Sequence, residues 1–162
     1  MSNKKLSTTK KGFTIIEVVL VLAIAGLIFL MVFVALPALQ RNQRDTQRRQ
    51  DYADLAAVIT ASASNNGTPR GYTSTGETIN NDLAKQIINK NGNDPEGRSY
   101  TGVIKIKPSG DQGAPTNPGQ INVYYKSKCK PDGSNTAVNG GNKQFTVQGY
   151  LETGSYCNTY EY

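Results

Sequence analysis

Glu17, Cys129 and Cys157 are the side chains of this 162-residue sequence whose type and setting could do chemistry. Glu17 stands at the leading edge of an apolar run, with Lys10, Lys11 and Gly12 shortly before it. A charge in hydrocarbon costs about 2.5–3.5 kcal/mol at a helix centre and less near an end, so this carboxylate needs a partner. A cut between Gly12 and Phe13 would create one. The new α-amino group at Phe13 would lie about 6 Å along a helix axis from Glu17, at roughly 1.5 Å per residue. Glu17 could pair with that amine or with the amine of a neighbouring copy. The second arrangement makes the charge a registration device, because one axial stagger satisfies both ions. Cys129 and Cys157 form a disulfide by default if their segment lies outside the cytoplasm, and a free buried pair is the alternative. The closed loop would stabilise by about 3.5 kcal/mol in the chain-entropy model.

Other chemistries are missing their parts. The sequence has no histidine, which removes Ser-His-Asp and Cys-His catalysis and the commonest metal ligand. Two cysteines alone do not build a structural zinc site, and no Cys-x-x-Cys spacing suggests redox catalysis. No cofactor and no metal are therefore expected, and an enzyme on a membrane anchor is the weakest reading. The formal charge of +6 is mostly the work of Lys4, Lys5, Lys10 and Lys11; after Gly12 the chain holds 14 basic and 12 acidic residues. A nucleic-acid partner is possible but not indicated by so small a balance.

Those residues need an element to position them. Val18 to Leu36 holds no charged or polar side chain, long enough for a membrane-spanning helix. An ordinary secretory signal would be shorter and end in a small-x-small cut site, and a plain anchor would not need Glu17 or the Gly12-Phe13 junction. The lysines of residues 1–12 are nearly matched by Arg41, Arg44, Arg48 and Arg49 beyond the span, so charge alone does not set the topology.

The sequence Lys11-Gly12-Phe13-Thr14-Ile15-Ile16-Glu17, followed by the apolar run, resembles the class III signal of type IV pilins and pseudopilins. The resemblance is tight over about residues 10–40 and only architectural beyond. It implies a cytoplasmic leader, 1–12, removed after Gly12 by a prepilin peptidase that also methylates Phe13. It implies a transmembrane and filament-core helix, 13–40, with Glu17 as the assembly glutamate. Gly26 and Pro37 are helix breakers, and in the family such weak spots allow local unwinding on packing. Implied partners are membrane lipid before assembly, an assembly platform with its ATPase, and other copies in a helical polymer. The implied location is the cytoplasmic membrane with the leader inside and the C-terminus outside, then an extracellular filament. Motility, adhesion and DNA uptake are the implied outputs of a pilin; a pseudopilin or a minor tip pilin would share the anchor.

From Gln40 the helical pattern becomes amphipathic. Arg41–Asp45 and Asp45–Arg49 are opposite charges four apart, and with Asp51 and Asp54 they read as a solvated or subunit-facing surface rather than a DNA or anionic-lipid contact. Tyr52, Leu55, Ala56 and Ile59 recur at helical spacing and should face a sheet. The amphipathic half is expected over 41–64, ending at Asn65-Asn66-Gly67-Thr68-Pro69, which also holds a weak glycosylation sequon.

The remaining 65–162 should form a globular head. A short helix is expected from about Ile79 to Lys90, then a turn at Asp94-Pro95-Glu96-Gly97-Arg98-Ser99-Tyr100 like the one many pilins use to enter their sheet. The Asn and Asp residues of 89–96 lack EF-hand spacing, so a bare turn is favoured over a calcium site. Strands are expected around Val103, Ile104 and Ile106, around Ile121, Val123 and Tyr125, and from Phe145 and Val147 towards Leu151. The fold class is α+β, a long N-terminal helix on a small antiparallel sheet of about three to four strands, with a disulfide-bounded C-terminal region implied by the resemblance. Tyr150, Tyr156, Tyr160 and Tyr162 read equally as a contact surface and as strand packing.

Overall fold

Helix α1 spans Ile15–Asn66 in the computed structural model, which describes residues 12–67, 69, 77–79, 92–105, 108 and 110–162. It runs through Gly26 and Pro37 without a break in helical assignment. The chain divides into two compact units, Met1–Leu39 and Gln40–Tyr162. In the first unit the large apolar side chains from Val18 to Leu39 are 48–75 % exposed. This segment is long and apolar enough to cross a membrane.

Among its described residues the second unit holds the rest of α1 and seven strands: β1 Glu77–Ile79, β2 Thr101–Lys105, β3 Gln120–Tyr125, β4 Ser127–Cys129, β5 Ala137–Asn139, β6 Gln144–Leu151 and β7 Gly154–Glu161. Five form a central sheet in the order β1-β2-β3-β6-β7, and β4 pairs with β5 in a second, two-stranded sheet. The α+β class is as expected. One pairing is not: β2 and β3 run parallel, so the sheet is mixed rather than antiparallel. Residues 106–119 between them are long enough for a crossover, whereas a meander needs a hairpin at that point. The expected helix from about Ile79 to Lys90 lies outside the described residues except for Ile79, which ends β1. Lys10 and Lys11 lie outside them too.

The helical stripe Tyr52, Leu55, Ala56 and Ile59 is fully buried against Ile104, Ile121, Val123, Tyr125, Phe145 and Val147. Alternation along β3 and β6 puts these side chains on one face, which α1 covers. Gly149, at the next position of that face, is a close-approach site: a Cβ there would meet the Tyr52 ring at 2.2 Å. The Tyr52 hydroxyl donates to the Tyr150 carbonyl at 2.7 Å, fixing the ring over the strand. Tyr156 packs on Tyr52 with ring centroids 5.1 Å apart, and Tyr160 stacks on Phe145 at 5.4 Å. These two tyrosines therefore pack the strand face.

Candidate assembly site and the charged cluster of the head

At the start of α1, Phe13 is 91 % exposed and Gly12 is exposed beside it. Thr14 opens the helix. Its N–H and its hydroxyl both donate to Glu17 Oε2, at 2.8 and 2.9 Å, while the Glu17 N–H reaches back to Thr14 Oγ1 at 3.4 Å. This is a capping box, in which a threonine and a glutamate three residues on satisfy each other's orphan amides. Thr14 has no role in the expectations drawn from sequence, although Thr-x-x-Glu ahead of an apolar run is a capping signature. Glu17 Oε1 takes no hydrogen bond among the described residues, so one carboxylate oxygen is left for an outside donor.

The second concentration of charge lies in the head, where sequence pointed to a solvated or subunit-facing surface. Arg48 is 0 % exposed and Asp45 4 %, and Asp51 is buried as well. The expected four-apart pairs give way to one three-apart pair, Asp45 with Arg48, and to partners distant in sequence. Arg48 donates to Asp45 (3.1 Å) and Glu152 (2.9 Å) through Nη1, and to Asp94 (3.2 Å) and Glu96 (3.0 Å) through Nη2. Arg44 grips Glu152 with two parallel hydrogen bonds of 2.5 and 2.7 Å. Asp45 accepts from the N–H groups of Glu152 and Thr153 and from the Thr153 hydroxyl, at 2.6–2.9 Å. Asp51 accepts from the Tyr100 hydroxyl at 2.5 Å.

The cluster thus ties α1 to the β6–β7 turn and to the 93–99 turn. That second turn closes on itself: Asp94 Oδ1 accepts from the N–H of Glu96 and Arg98, Gly97 sits at φ 82°, and Asn93 bridges Ser99. Arg44 and then Arg48 hold the Glu152 carboxyl well below its usual range, at about 2, against the opposing pull of burial. Burial alone would raise Asp45; the Thr153 hydroxyl, the two backbone N–H groups and Arg48 outweigh it and leave it lowered. The cluster is a structural tie among opposite charges. Its carboxylates are already taken by arginines and amides.

Cys129 and Cys157 are joined, with Cα atoms 6.0 Å apart, linking the end of β4 to the middle of β7. Among the described residues no group of His, Cys, Asp and Glu is arranged to hold a metal ion.

The site at Gly12–Glu17 falls within a stretch, residues 8–33, that matches the family model of the prokaryotic N-terminal methylation motif. This stretch is the class III signal peptide of type IV pilins. The chain is accordingly pilin-like or pseudopilin-like, a structural class that combines membrane anchoring with filament assembly. No curated protein and no solved structure matches the chain significantly.

Proposed function

We propose that this chain is the structural subunit of a type IV pilus, inserted in the cytoplasmic membrane with leader in and C-terminus out. The prepilin peptidase cuts after Gly12 and methylates Phe13, and an assembly platform with its ATPase draws the subunit into an extracellular helical filament. The observation that carries this reading is the coincidence of the methylation motif with a helix whose apolar residues stay exposed from Val18 to Leu39. Such a surface finds an apolar environment in lipid before assembly and against neighbouring copies afterwards.

In this scheme cleavage converts the neutral Phe13 amide into a cation close to Glu17. The capping box holds the carboxylate through Oε2, and Oε1 faces the incoming amine of another copy. Gly26 matches the weak spots at which such helices yield on packing, and no kink is assigned to Pro37. The filament serves motility, adhesion or DNA uptake, and the chemistry of this chain is mechanical rather than catalytic.

The test is incorporation. Glu17→Ala should insert into membrane as the parent does while its share of sheared filaments falls about tenfold or more, the loss of one satisfied ion pair in an apolar setting. Unchanged incorporation would sink the registration role. Abundant surface filaments in which this chain is the dominant species are expected; short periplasmic filaments would point to a pseudopilin, and a trace component to a minor tip pilin.

A further inference from the structure

The central sheet is covered on both faces, and the two covers are held by different forces. On the α1 side the contact is the apolar core. On the other side lies the β4–β5 flap, reached from β6 and β7 through residues that alternate with the core positions. Ser127 Oγ and Thr146 Oγ1 are 2.8 Å apart; Gln148 Nε2 donates to the carbonyls of Gln112 (2.9 Å) and Asn135 (2.8 Å). Asn135 Nδ2 donates to Ser155 Oγ at 3.0 Å, and Cys129 N–H to Thr159 Oγ1 at 2.9 Å. Within β4 and β5 Ala137 is the buried apolar side chain, and it stands outside the core cluster.

Hydrogen bonds of this kind replace bonds to water and gain little on balance. Two acceptors on that face gain nothing: Asn122 Oδ1 and Gln148 Oε1, on register partners of β3 and β6, are buried without a donor among the described residues. The flap also has both ends at one point. The chain enters through Lys126 in the left-handed region, φ 52°, and returns at Gly140, whose N–H donates to the Lys126 carbonyl at 2.8 Å. A few residues at such a junction suffice as a hinge.

We propose that the Cys129–Cys157 bridge is a redox latch, and that its reduction releases residues 127–139 from β6–β7 while the α1-covered sheet stays folded. A dithiol reductant supplies the chemistry. Its thiolate attacks one sulfur, its second thiol displaces the mixed disulfide, and the S–S bond is exchanged for two protein thiols as the reductant becomes a disulfide. Two electrons and two protons pass to Cys129 and Cys157. The uncovered face carries Asn122, Thr146, Gln148, Ser155 and Thr159, which water solvates, and the buried Tyr124, which stands outside the core cluster, so opening leaves that cluster in place. The latch is independent of which filament system the chain serves.

The experiment is amide hydrogen exchange on the full chain in detergent micelles, with and without dithiothreitol, and with thiol labelling to count reduced cysteines. Reduction should speed exchange across 127–139 by about tenfold or more and leave 121–125 and 145–150 within about twofold. Three outcomes would overturn the latch: both thiols labelled with flap protection intact, protection lost throughout the head, or a bridge that dithiothreitol does not open. Cys129→Ser/Cys157→Ser should show the reduced pattern; reduction of the folded wild type keeps the test decisive if that variant does not fold.

Discussion

Between Val18 and Leu39 helix α1 presents valine, leucine, isoleucine and phenylalanine on its surface, while between Asp45 and Asp51 the same helix hides an arginine and two aspartates. Each exposed apolar side chain would gain about 1.5–3 kcal/mol on full burial, and nothing in the described residues supplies that burial. The charged half is the opposite case. Its side chains are out of water, but Glu152, Thr153, Asp94 and Glu96 have come to meet them. One half is incomplete without an outside solvent or neighbour; the other is completed by its own head. Hydropathy read along a helix therefore reports what the segment needs, and only tertiary structure shows who provides it.

Removing Arg48 should break this contrast most severely. Arg48→Ala leaves Asp45 as a buried carboxylate without its counter-ion and Asp94 with only the longer Arg98 pair, and the head should lose about 3–5 kcal/mol in denaturant unfolding while membrane insertion is unchanged. A loss below about 1 kcal/mol would mean that the cluster behaves as surface charge.

Overpacking the other tie between α1 and the sheet should cost somewhat less. Gly149→Ala drives a methyl into the Tyr52 ring, and about 1–3 kcal/mol of head stability should go with it. A neutral result would show that the Tyr52 ring can move aside.

Acid should act on the same half. Glu152, lowered from 4.5 to about 2, and Asp45, lowered from 3.8, bind fewer protons folded than unfolded near their ordinary pKa values. Their contribution is therefore fully present above the unfolded pKa values and is lost as pH falls through the folded ones. Urea midpoints should be flat, as far as these groups go, from about pH 7 to 5 and fall from about pH 5 to 2, with a weaker fall in Arg48→Ala. Equal slopes in the two proteins would remove Arg48 from the explanation.

At the other end of the helix the effect should be small and local. Thr14→Ala removes the cap, and about 1 kcal/mol of fraying should appear in amide exchange at 15–18 with no change in head stability. Fraying that spreads into the head would contradict the separation of the two halves.

The legible parts of the fold are those encoded by local pattern. The apolar run and Glu17 stand out because no soluble helix needs such a surface, and Tyr52, Leu55, Ala56 and Ile59 follow the helical period onto the sheet. Ile121, Val123 and Phe145 were likewise readable from alternation. Arg48 was not, because three of its four carboxylate partners lie 46 to 104 residues away and its neighbours in sequence suggest ordinary surface pairs. Strands β4 and β5, Ser127–Cys129 and Ala137–Asn139, are too short and too polar for a period to show. Strand β7 mixes Tyr156 and Tyr160 with polar residues facing the flap, so its aromatics were visible and its extended backbone was not. The parallel pairing of β2 with β3 depends on the path of a long connection, which strand composition does not encode.

The N-terminus of the chain inside assembled filaments tests the account most directly. Peptide mass spectrometry of sheared filaments should find the chain beginning at N-methylated Phe13, with residues 1–12 absent. Normal filaments built from chains that keep those residues would contradict it, because no α-amine would then stand beside Glu17.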